Sequence, residues 1–94
     1  MDKKLVAMLN EFGILEDEID ALIKMCPGLE IVDYEKACKC VIALIKAGYP
    51  QVDISSLIYA NPSFMMYEPK DLEGKLKQIG GDIESKLKED PFLI

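Results

Sequence analysis

The sequence predicts an all-α fold: about six helices forming a short helix-pair repeat, solenoid-like and of either hand. Three observations lead there. One pattern recurs around Pro27, Pro62 and Pro91. The ninth residue before each is acidic (Glu18, Asp53, Asp82), the eighth is Ile19, Ile54 or Ile83, and the fourth is Ile23, Ile58 or Leu87. Leu29, Phe64 and Leu93 stand two residues after. A second pattern precedes Gly13, Gly48 and Gly80, with Leu9, Leu44 and Leu76 four residues back and Leu5, Cys40 and Leu72 eight back. Finally, no stretch reads as a strand. Long helices ending in glycine thus alternate with short helices ending in proline, at a period within the range of helix-pair solenoids.

The first helix is predicted from about Asp2 to Phe12, burying Leu5, Met8, Leu9 and Phe12 at i, i+3, i+4, i+7 spacing. Gly13 stops it, because glycine takes the left-handed conformation without steric cost. Glu16, Asp17 and Glu18 place negative charge at the start of the second helix, where it complements the macrodipole. That helix buries Ile19, Leu22 and Ile23 and ends before Pro27, since proline disfavours α geometry in the residue before it. The third helix, roughly Tyr34 to Ala47, has Asp33 as its expected N-cap and stops at Gly48. It is apolar on almost every side, with Lys36, Lys39 and Lys46 confined to a narrow strip. It is therefore expected to be the central, most buried element, with Val41, Leu44 and Ile45 in the core.

Asp53 is the expected cap of a short fourth helix that stops at Asn61-Pro62. Pro69 leads a fifth, from a first-turn position that tolerates proline, and Leu72, Leu76 and Ile79 turn inward. Gly80-Gly81 breaks the chain, and Asp82 caps a last short helix that buries Ile83 and Leu87. The chain closes on Pro91-Phe92-Leu93-Ile94. By equivalence with Leu29 and Phe64, Phe92 and Leu93 are expected to fold back onto the fifth helix near Leu72 and Leu76. The other reading is that another chain covers them. All of this fits one domain, 1–94, in units of roughly 1–13, 14–48, 49–80 and 81–94.

Composition narrows the function. Seventeen Asp and Glu against eleven Lys give a net charge of −6, and there is no Arg and no His. Phosphate binding draws its affinity from Lys and Arg, so nucleic acid is disfavoured as a partner. Half the residues are hydrophobic, which argues against disorder. The N-terminal stretch is too short and too charged for a membrane span and lacks the features of a cleaved leader. Cys26, Cys38 and Cys40 form an odd set, and a cytoplasmic setting with reduced thiols is the expectation.

The run x-N-P-x-F, then P-x-D-L-x-x-K-L-x-x-I-G, then acidic-Ile-x-x-x-L-x-x-x-P-x-L resembles the mitochondrial transcription termination factor (mTERF) repeat. The match is best from Asp53 to Ile94 and extends more weakly back to Leu5. The resemblance implies helix pairs stacked into a curved superhelix, with nucleic acid bound along a basic concave groove. This chain is acidic, has no Arg and holds about two and a half units, so no DNA-contacting residue carries over.

For catalysis the inventory is poor. Without His the commonest general acid–base at neutral pH is missing. Carboxylate pairs such as Asp17/Asp20 and Glu84/Asp90 are explained by capping and solvation. Cys38 and Cys40, two apart on a helix, point to different faces, and three thiols without His make no zinc site. They read as small core hydrophobes. No enzyme activity, cofactor or metal is expected. The remaining candidate is an interaction surface of Tyr59, Met65, Met66, Tyr67, Phe92 and Leu93, because Met and aromatic residues are enriched where proteins bind. The expected function is a protein-interaction or accessory module with an unidentified protein partner, itself a monomer or weak homodimer. A minimal nucleic-acid binder is the alternative.

Overall fold

The computed structural model describes residues 1–94, and every regular element in it is helical. Six α-helices follow one another: α1 (Lys3–Glu11), α2 (Glu16–Met25), α3 (Tyr34–Lys46), α4 (Ile54–Ala60), α5 (Pro69–Ile79) and α6 (Ile83–Glu89). Tight 3-10 turns fill much of the space between them. Three begin on the recurring prolines, Pro27–Ile31, Pro62–Met66 and Pro91–Leu93, and a fourth, Gln51–Asp53, leads into α4.

The two sequence patterns correspond to two backbone devices. At Gly13 (φ 86°) and Gly48 (φ 108°) the chain enters the left-handed region and closes a Schellman motif. Ile14 N–H donates to Leu9 O at 2.9 Å, and Tyr49 N–H donates to Leu44 O at 3.0 Å. Ile14 and Tyr49 are both buried, so each stop also anchors the chain that leaves it. At the prolines the preceding residue takes nearly the same extended geometry three times: Cys26 (φ −138°, ψ 82°), Asn61 (−151°, 77°) and Asp90 (−142°, 95°). Each of the three still donates its N–H to the carbonyl four residues back, at 2.8, 2.7 and 3.0 Å. The helix is thus completed before proline ends it.

The core runs through all six helices. Leu5 and Leu9 of α1, Leu22 of α2, Leu44 of α3, Leu57 and Ile58 of α4, Leu72 of α5 and Leu87 of α6 are among its members. Phe64 of the second proline turn and Leu29 of the first are fully buried. Lys88 ties α6 to the start of α4, reaching Asp53 at 2.9 Å and Glu84 at 2.7 Å.

Several expectations are corrected. Asp33 makes no capping bond; the first N–H of α3, that of Tyr34, donates instead to Asp2 Oδ2 at 3.0 Å. Asp2 Oδ1 also accepts from Lys4 N–H at 2.8 Å, so one carboxylate caps α1 and α3 together. Asp53 makes no capping bond either, because its carboxylate is engaged by Lys88. Asp82 caps α6 as expected, through Ser85 N–H at 3.2 Å. Helix α3 is not buried all round: Ile42 is 43% exposed, and Ile45 and Cys38 are only partly covered. In the tail, the inward residue is Ile94 (6% exposed), while Phe92 is 70% and Leu93 40% exposed. The third proline turn lies against Asn61 at the end of α4, whose Nδ2 donates to Pro91 O at 2.9 Å and to Ile94 O at 3.3 Å. Leu29 and Phe64 are buried at the equivalent position, whereas in the third turn Ile94, one residue further on, is the one that enters the core.

Candidate functional site: an apolar groove between α1 and α3

The residues singled out in the sequence divide between surface and core. Met65 is fully buried and is no part of any surface. Tyr67 is half-buried, its carbonyl accepting from the Cys40 thiol at 3.3 Å and its ring lying 5.5 Å from Lys75 Nζ. Tyr59 is partly exposed, and its hydroxyl donates to the Glu18 carboxylate on α2. Met66 is partly exposed, with its sulfur 3.4 Å from Cys26 Sγ in the first proline turn. Gly28 makes that approach feasible, since a Cβ there would lie 2.4 Å from Met66 Cε. The first two proline turns therefore sit side by side, and Asn61 joins the third to the end of α4. Met66 on the one hand, and Phe92 with Leu93 on the other, remain as exposed apolar points.

A sizeable concave feature lies elsewhere, between α1 and α3. It is an open groove of about 930 Å³ in which nine of the thirteen lining residues are hydrophobic. From α1 come Lys4, Met8 and Glu11, at i, i+4, i+7 spacing, with Ala7 between and Phe12 at the end. From α3 come Cys38, Ile42 and Ile45, again at i, i+4, i+7, with Tyr34 above and Val41 at the floor. Gln51, Val52 and Ser55, from the turn before α4 and its first residues, close one side. Val52 is 86% exposed at the rim.

The local causes are legible. Residues three and four apart share a helix face, so α3 carries two apolar stripes rather than one. One stripe, Ala37, Cys40, Val41 and Leu44, is buried in the core. The other, Cys38, Ile42 and Ile45, forms the groove wall. In the sequence these stripes merge into a helix that is apolar on almost every side, so the sequence alone does not separate the groove wall from the core. The uninterrupted apolarity of α3 was the available signal.

At one end of the groove the Tyr34 hydroxyl is held above its ordinary pKa. The main cause is the neighbouring Cys38 thiol, followed by burial and the carboxylates of Glu11 and Glu35. Cys40, on the core side of the same helix, has its thiol pushed up to about 11, chiefly by burial. All three cysteines are free, and no group of three or more His, Cys, Asp or Glu side chains is placed to hold a metal ion. No helix is long and apolar enough to cross a membrane. What the groove offers chemically is apolar area with one cation, Lys4, and one carboxylate, Glu11, about two helical turns apart along its wall.

No known family model, curated protein or solved structure matches the chain.

Proposed function

We propose that this chain is a non-catalytic protein-interaction module that takes an apolar segment of a polypeptide into the α1–α3 groove. The observation that carries the reading is the second apolar stripe of α3. Cys38, Ile42 and Ile45 line an open groove, Ile42 exposed and the other two only partly covered by the core, so the stripe leaves apolar area in water. Covering side chains of this kind is worth roughly 1.5–3 kcal/mol each when burial is complete. The net charge of −6 without Arg favours a protein partner over nucleic acid. The helix-pair repeat is supported by the matching backbone at the three prolines, two of which, Pro62 and Pro91, also belong to the stretch that resembles the mTERF repeat. Three free cysteines support a reducing, cytoplasmic setting.

The test is affinity capture from the native host, nuclease-treated, with wild type beside Ile42→Asp and Val52→Asp. Both side chains are exposed, so the variants are expected to fold. A protein captured by wild type at low and raised salt, and lost from both variants, supports the reading. Capture unaffected by either substitution overturns it. In parallel, fluorescence anisotropy with a short DNA duplex is expected to show no tight binding at physiological salt. Sub-micromolar binding that weakens steeply with salt would replace the protein-binding reading with the nucleic-acid one.

A further inference from the structure

We infer that the groove receives the third proline turn of a second copy, Phe92 and Leu93 entering between α1 and α3, so that copies associate head to tail. This rests on the groove being a protein-binding site and names its occupant.

The tail is built to present an apolar knob. Phe92 is 70% exposed although it stands between groups that are fixed. Asn61, itself 2% exposed, spends its buried amide on the carbonyls of Pro91 and Ile94, on either side of Phe92 and Leu93. Asp90 Oδ1 accepts from Phe92 N–H at 3.0 Å, and Ile94 is inserted in the core. A backbone already held in one arrangement loses little further freedom on binding, which lowers part of the cost of association. Phe92 and Leu93 do not line the groove of their own copy. The turn that carries them is pinned to the end of α4, so the groove they reach is another molecule's.

The groove matches this knob in size, polarity and charge. Its volume of about 930 Å³ admits two large side chains, and its walls are mostly apolar. Glu89 and Asp90 immediately precede the knob, while Lys4 is the groove's one basic lining residue, with Lys3 beside it in sequence against the one carboxylate of Asp2, which is engaged by the N–H groups of Lys4 and Tyr34. Pairing these ends also keeps the tail carboxylates away from Glu11, two helical turns further along α1. The contact therefore has a direction. In such a head-to-tail contact each added copy leaves one knob and one groove open, whereas a reciprocal two-fold exchange would stop at the dimer and is told apart by the growth of mass beyond it.

Sedimentation velocity on the full chain, from about 1 μM to about 1 mM, tests this. Wild type is expected to gain mass with concentration and to pass beyond the dimer. Phe92→Asp and Ile42→Asp, each checked by circular dichroism, are expected to weaken association at least about tenfold, with Val52→Asp as a second groove variant. Lys4→Glu should weaken it several-fold at low salt and less at high salt. The decisive arm mixes Phe92→Asp with Ile42→Asp. One supplies an intact groove and the other an intact knob, so the mixture is expected to form a dimer that grows no further. A wild type that stays monomeric throughout overturns the inference. So does association that survives either substitution, or a mixture that fails to dimerise. In the first case, groove-dependent capture of another protein would leave the proposed function standing, which separates the two failures.

Discussion

Asp2 holds the starts of two helices with one carboxylate, accepting from Tyr34 N–H at 3.0 Å and Lys4 N–H at 2.8 Å. The bond from Tyr34, then that from Lys4, holds its pKa below the ordinary 3.8. Asp82 is lowered by the N–H and hydroxyl of Ser85, and Glu18 by Leu15 N–H and then the Tyr59 hydroxyl. A group with a depressed folded pKa contributes stability that is present above its unfolded value and lost as pH falls through the folded one. Urea midpoints are therefore expected to hold near neutrality and fall from about pH 4 downward. Asp2→Asn should lower the midpoint at pH 7 and make the acid limb shallower; an unchanged limb would show that the shared cap contributes nothing. Cys40 has the opposite sign. Its thiol rises from 9.0 to about 11 on folding, mainly through burial. Between those values the unfolded chain loses a proton that the folded one keeps, so stability declines as pH rises through that window. Cys40→Ala should flatten the decline, read by the same titration on the alkaline side.

At the scale of elements, α3 is where packing and surface meet. Leu44 is fully buried, and Leu44→Ala is expected to cost about 2–5 kcal/mol in denaturant unfolding, the transfer term plus a cavity. Ile42, two residues away, is 43% exposed on the groove side. Ile42→Ala should stay within about 0.5–1 kcal/mol, nearer the range of surface substitutions. A comparable loss from both would mean that the groove is closed in solution and that both stripes of α3 are core. The short helices show a different economy. Helices α4 and α6 have seven residues each, too few to be stable alone. They persist because each ends in a proline turn anchored to the rest of the molecule: Phe64 enters the core after α4, and Asn61 and Ile94 secure the turn after α6.

The whole molecule measures 35 × 22 × 21 Å, and its last residues help to close it. Removing 91–94 deletes the buried Ile94 side chain and leaves the Asn61 amide without its two carbonyl partners. Each hydrogen bond lost is worth about 0.5–1.5 kcal/mol net, and each kcal/mol moves the thermal midpoint of a domain this size by about 4–8 °C. The truncated chain is expected to melt several degrees lower, by differential scanning calorimetry at a dilution where copies do not associate. An unchanged midpoint would mean that the tail serves only as an interface. By itself the sequence determined the helices, their two kinds of stop and most of the inward residues, because these depend on local sterics and on spacing along one helix. Glycine allows a left-handed backbone, proline disfavours α geometry in the residue before it, and Leu5, Leu44, Leu72 and Leu87 follow the helical period. Only the tertiary structure decided which partner each polar group and each apolar stripe would find. The Asp2 carboxylate lies 32 residues from Tyr34 in sequence, Asn61 lies 30 from Pro91, and both Asp33 and Asp53 lost the capping role that their neighbours alone would assign. The groove belongs to the same class: whether Cys38, Ile42 and Ile45 face the core or water depends on how far α1 and α3 stand apart, and that separation is fixed by side chains distant in the chain.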